Sequence, residues 1–127
     1  MYRVFLVEDS KLVRERIAEL LATIEGIDTV GSAASAQDAT DAIVATKPDA
    51  VLLDIKLAQG SGFDVLRALR ATAPQVEVYV FSNFAWPAYR QLASSLGARG
   101  FFDKTTEIGR LRRTMAERAA QSTRSIA

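Results

Sequence analysis

A chain of 127 residues that is 49% hydrophobic and 24% charged can bury a core in one domain without disulfides or a structural metal, and lies far from the composition of disordered segments. It has no cysteine and no histidine, which excludes disulfide scaffolds, thiolate zinc sites, Ser-His-Asp or cysteine nucleophiles and histidine bases, so any metal must be held by oxygen. The net charge of +1 divides into −5 over residues 1–64 (6 Lys/Arg, 11 Asp/Glu) and +6 over residues 65–127 (10 and 4), a basic excess too dilute to imply nucleic-acid binding by itself.

Tyr2 to Val7 is rich in β-branched and aromatic residues and stops at Glu8-Asp9-Ser10, a cluster that can end a strand and cap a helix. Val13, Ile17, Leu20, Leu21 and Ile24 recur at helical spacing, with Arg14, Glu15, Arg16 and Glu19 left for solvent, until Gly26. Ile27 to Ala33 reads as a second strand, and Ser35 caps a helix of small residues stopped by Lys47-Pro48.

Ala50-Val51-Leu52-Leu53-Asp54 is an apolar run of strand length ending in a carboxylate, which suits a strand buried on both faces of a parallel sheet. Ala58 to Gly62 reads as a flexible loop, and Phe63, Val65, Leu66 and Leu69 mark a third helix ending before Pro74. Val76 to Phe81 is a further strand, followed by Ser82-Asn83. Pro87 opens a helix containing Tyr89, Leu92, Ala93 and Leu96 and closed by Gly97. Arg99 to Phe102 is a short strand before Asp103-Lys104, and Ile108, Leu111 and Met115 line a last helix. The domain is expected over residues 1–120, with 121–127 as a frayed tail. No apolar run approaches membrane-spanning length and no leader precedes the first strand, so a cytoplasmic protein without membrane partners is expected.

Five strands alternating with five helices imply right-handed crossovers in an α/β fold: a flavodoxin-like, doubly wound parallel sheet of order 2-1-3-4-5. Its carboxyl edge would gather Glu8, Asp9, Asp54, Ser82 and Lys104. Any one of these has an ordinary explanation as a cap or surface residue; four strands ending in complementary chemistry do not. Three carboxylates close together call for a cation, and an oxygen-only set points to a hard ion such as magnesium, manganese or calcium, with magnesium (or manganese) suiting it best. An aspartate so placed, with a lysine and a hydroxyl beside it, can accept a phosphoryl group.

Val7-Glu8-Asp9-Ser10, Leu52-Leu53-Asp54, Gly60 and Gly62, Phe81-Ser82 and Gly100-Phe101-Phe102-Asp103-Lys104 together resemble the receiver domain of two-component response regulators, over essentially the whole chain. The resemblance implies a phospho-acceptor signalling protein, rather than an enzyme acting on other substrates, in which a histidine kinase or phosphotransfer protein phosphorylates Asp54. It implies that Asp9, Asp54 and the main-chain carbonyl of Lys56 bind magnesium, with Glu8 helping through water, and that Lys104 contacts the phosphoryl group. Ser82 matches the switch hydroxyl and Phe101 the switch aromatic, so that the face of helix four, strand five and helix five is remodelled for a protein partner. Trp86, Arg90, Phe101 and part of the Arg110, Arg112, Arg113 cluster fall on that face, and a phosphorylation-dependent dimer belongs to the same expectation. Kinase docking would use the first helix near Leu12 and Val13.

The chain departs from the family pattern at Glu8 (usually aspartate), Ala58 (often proline), Phe101 (usually tyrosine) and Thr105, where a proline after a cis peptide is usual. Lys56 and Phe84, each two residues past a site residue, are placed to screen attacking water and lengthen the phosphoryl lifetime. Two settings compete. One is a stand-alone module, expected because the chain finishes soon after the fifth helix. The other is the receiver of a DNA-binding regulator, in which this domain does not itself touch nucleic acid. An aspartyl phosphatase is disfavoured because Asp54-Ile55-Lys56 lacks the second acid. Flavin binding is disfavoured because no phosphate loop follows the first strand.

Overall fold

The computed structural model describes residues 1–126, with side chains to residue 122. Strands β1 (Tyr2–Val7), β2 (Ile27–Ala33), β3 (Ala50–Leu53), β4 (Glu77–Ser82) and β5 (Gly100–Asp103) alternate with helices α1 (Lys11–Ala22), α2 (Ala36–Thr46), α3 (Gly62–Thr72), α4 (Pro87–Ser95) and α5 (Ile108–Ile126). All neighbouring strands are parallel and the order is β2-β1-β3-β4-β5, as expected of this flavodoxin-like arrangement.

Two capping signals act where they were read: Ser10 and Ser35 are the N-caps of α1 and α2, each accepting a backbone N–H from the first turn. Ser61, read as part of a loop, is the N-cap of α3 in the same way. Pro87 is the first residue of α4. Gly97, at φ 98°, takes the left-handed position just past its end.

Side-chain alternation divides the core into two layers. Phe5, Val7, Val51, Leu53, Val78, Val80 and Phe101 face α2, α3 and α4 through Ile43, Phe63, Leu66 and Ala93. Val4, Leu6, Leu52, Tyr79, Phe81 and Phe102 face α1 and α5 through Ile17, Leu21, Leu111 and Met115. Both sides of the central strands are therefore apolar, which is why their sequences are continuous hydrophobic runs.

One expectation changes. The β3–α3 loop is not free: Gly62 N–H bonds the Ile55 carbonyl at 2.7 Å, Ala36 N–H bonds the Gln59 carbonyl at 3.0 Å, and Lys56 bridges Ser61. Ser61 and Asp64 also form a reciprocal capping box. Of the stretch expected as a tail, 121–126 continues α5 as helical backbone, and Ala127 lies outside the described residues. The described peptide bonds are all trans, that between Lys104 and Thr105 included.

Candidate phosphoryl-acceptor site

Three of the candidate residues each extend a strand by one ladder hydrogen bond. Glu8 N–H bonds the Ala33 carbonyl of β2 at 3.0 Å, Asp54 N–H the Val7 carbonyl of β1 at 2.9 Å, and Lys104 N–H the Ser82 carbonyl of β4 at 3.1 Å. The same pairing that orders the sheet thus delivers these residues to one edge.

Glu8, Asp54 and Ser82 are the buried polar or charged residues of the described chain, at 2%, 8% and 0% exposure. That all three lie here, rather than scattered through the core, marks the edge as a built site. Lys104 Nζ donates to Asp54 Oδ2 at 2.7 Å and to Glu8 Oε1. Asp9 is exposed, yet Glu8, Asp9 and Asp54 each offer a carboxylate oxygen within 4.8 Å of the others. Burial pushes the Glu8 carboxyl up; hydrogen bonding to Lys104 opposes this, and the acids Asp9 and Asp54 add to it. Burial alone would pull the Lys104 ammonium down, but its hydrogen bonds and attraction to Asp54 and Glu8 outweigh it, and its pKa is raised.

Asp54 Oδ1 is buried and has no hydrogen-bond partner. An unsatisfied carboxylate oxygen is costly in a protein interior and needs a reason. A hard cation meets that need: three carboxylates are at hand, no sulfur or imidazole competes, and one oxygen is free to ligate.

The surroundings hold this group in place. A Cβ on Gly62 would sit 2.4 Å from the Asp54 carbonyl oxygen and 2.8 Å from Ile55 Cα, so glycine alone lets α3 start this close to the end of β3. Ser82 Oγ accepts the Phe84 N–H at 3.1 Å, tying the hydroxyl to the β4–α4 loop. Lys56 is exposed, with its ammonium 5.2 Å from the Phe84 ring centroid. Phe84, Trp86, Tyr89 and Phe63 form a chain of ring contacts at 5.0 to 5.5 Å along one rim. Tyr89 packs partly into the core, whereas Trp86 is 56% exposed. Phe101 is buried at 8% and lies outside the acidic group, under α4.

Arg14 was expected in solvent. It is instead half-buried, and its guanidinium donates to the Glu8 carbonyl at 2.7 Å, bracing the β1–α1 corner. Helical periodicity does not reveal such a contact, because it depends on the reach of the side chain back across the cap.

The family profile of the response regulator receiver domain matches residues 4–116. A DNA-binding transcriptional activator, DevR/DosR of Mycobacterium tuberculosis, is 31% identical over 82% of this chain and 48% of its own length. A protein-glutamate methylesterase/protein-glutamine glutaminase of Nocardioides sp. is 29% identical over 91% of this chain and 32% of its own. A crystal structure of a LuxR-family two-component response regulator from Aurantimonas sp. SI85-9A1 superposes with a TM-score of 0.87 at 27% identity, over 94% of this chain and 85% of that one. The chain belongs to the response regulator receiver domain family, and spans a third to a half of the length of these two curated relatives. Among the described residues, no helix is long and apolar enough to cross a membrane.

Proposed function

We propose that this domain accepts a phosphoryl group on Asp54 from a histidine kinase or histidine phosphotransfer protein, and uses it to switch the α4–β5–α5 face toward a protein partner. The observation that carries this reading is the Asp54 carboxylate itself, with Oδ2 held by Lys104 at 2.7 Å and Oδ1 buried without a partner.

Asp9, Asp54 and the Lys56 carbonyl would hold Mg2+ (or Mn2+), with Glu8 contributing through water. When bound, the ion neutralises charge on the carboxylates and the phosphoryl oxygens. Asp54 attacks phosphorus through a carboxylate oxygen, forming an acyl-phosphate P–O bond. The P–N bond to the donor histidine breaks, and its electron pair stays on the imidazole nitrogen. Lys104, already an ammonium beside the reacting carboxylate, balances negative charge on the phosphoryl oxygens. Ser82 retains an O–H free to donate, since its Oγ is engaged as the acceptor from Phe84. Drawing that hydroxyl toward the phosphoryl group would move the β4–α4 loop, with Phe101 as the aromatic that responds. The Lys56–Phe84 contact stands over the loops flanking Asp54 and slows attack by water.

A small acyl phosphodonor with Mg2+ should label the chain once, as a mass increase lost in Asp54→Asn; labelling that persists in that variant overturns the assignment. Replacing Lys56 and Phe84 together by alanine should shorten the phosphoryl half-life by several-fold, and an unchanged half-life removes the screening role.

A cytoplasmic stand-alone module remains one setting of this reading. The second, the receiver of a longer DNA-binding regulator, is favoured by the fact that curated relatives such as DevR/DosR are about twice the matched length. The native reading frame decides between them. A phosphorylation-dependent dimer through the same face is checked by sedimentation of the phosphorylated protein.

A further inference from the structure

Arg90 sits in the first turns of α4 and uses its guanidinium on three separate segments. Nε donates to the Ala85 carbonyl of the β4–α4 loop at 3.2 Å, one terminal nitrogen to the Phe101 carbonyl of β5 at 3.1 Å, and the other to Glu107 Oε1 at 2.7 Å. The guanidinium carbon also lies 5.0 Å from the centroid of the Phe101 ring. Glu107 is no passive partner: it accepts from Asp103 N–H at 3.0 Å and from Arg110 at 2.6 Å, and its carbonyl receives the first helical bond of α5, from Leu111.

We propose that Arg90 is the positioning residue that transmits movement of the β4–α4 loop to Phe101 and to the start of α5. This rests on the reading of Asp54 as phosphoryl acceptor and Ser82 as the group it draws in. Ser82 Oγ holds Phe84 N–H, and Ala85 is the next residue, so a pull on Ser82 arrives one residue from a carbonyl that Arg90 grips. A planar fork with donors fixed relative to one another cannot follow Ala85 without changing its geometry at Phe101 and Glu107. Trp86, the N-cap of α4, makes no side-chain cap hydrogen bond, so the polar side-chain link from α4 back to this loop is the Arg90–Ala85 bond, beside the ring contacts of Phe84, Trp86 and Tyr89. By contrast, lysine at this position presents a single ammonium, which cannot serve three segments while covering the Phe101 ring.

The test uses the full chain with Mg2+ and beryllofluoride as the phosphoryl mimic, read by amide hydrogen exchange. In the unsubstituted protein, residues 82–90 and residues 101–111 should both change exchange on addition of the mimic. In Arg90→Ala and Arg90→Lys the response of 82–90 should persist while that of 101–111 falls by at least about threefold. Far-UV circular dichroism checks that each variant is folded, and Arg90→Lys keeps the test open if Arg90→Ala is not. An undiminished response at 101–111 in a folded variant overturns the role of Arg90 alone. Absence of Mg2+-dependent labelling of Asp54 in the unsubstituted chain overturns the acceptor reading, and the Arg90 proposal with it.

Discussion

At the scale of single residues, charge at this sheet edge is balanced by contact rather than by solvent. Lys104 stands between Glu8 and Asp54, and one carboxylate oxygen is left over. A second balance, at Glu107, allows a pH test away from Asp54. Hydrogen bonding from Arg90, then from Asp103 N–H and Arg110, pulls the Glu107 carboxyl from 4.5 to about 2. A depressed carboxyl stabilises the fold fully above its unfolded value, and that contribution is lost as pH falls from about 4.5 toward about 2. Thermal melting between pH 6 and 2 should therefore show a shallower decline for Glu107→Gln than for the unsubstituted chain; parallel curves would remove the contribution assigned to Glu107. Asp54 and Lys104 were legible in the sequence because each follows an apolar strand. Arg14 and the triple contact of Arg90 were not, since a guanidinium's partners lie where other elements pass, not at a fixed spacing.

Among the elements, α5 shows how packing and one polar cluster divide the work. Leu111, Met115 and Ala119 seat it on the sheet. At the opposite end of the sheet from Asp54, Arg118 reaches Glu77 of β4 through two nitrogens, each at 2.8 Å. Tyr2 of β1 and Tyr79 of β4 donate to the same carboxylate at 3.0 Å each. Burial would push the Glu77 carboxyl up, but hydrogen bonds from Arg118, Tyr2 and Tyr79 outweigh it and hold it low. Replacing Glu77 by leucine leaves two hydroxyls and a guanidinium without their acceptor, and should cost roughly 2–3 kcal/mol in urea unfolding. A loss within error of zero would mean that water satisfies these groups as well as Glu77 does. The β3–α3 loop teaches a related lesson. Its glycines and serine read as flexibility, yet Ser61 is a cap, Gly62 a point of close packing against Asp54, and Gln59 the partner of α2.

For the whole molecule, the parallel sheet converts four separate strand ends into one acidic site, and occupancy of that site should be felt by the entire fold. If Mg2+ binds the folded chain and not the unfolded one, saturation at a hundredfold over the dissociation constant adds about 2.7 kcal/mol, seen as a rise in melting temperature. Asp9→Asn should require more Mg2+ for the same rise; an unchanged titration would count against the acidic-pocket reading.

The amino-acid sequence by itself determined the order and type of the ten elements, because continuous apolar strands and periodic helices encode burial directly. It also determined the chemistry available at the sheet edge, because no cysteine or histidine was present to offer another. Tertiary structure decided what no local pattern carries: that Lys104 pairs with both Glu8 and Asp54, that one Asp54 oxygen is left unpartnered, and that Arg90 and Arg118 each tie distant elements together. The physical reason is that burial is written into the spacing of neighbouring residues, whereas a long polar side chain finds its partner only after separate elements have packed side by side.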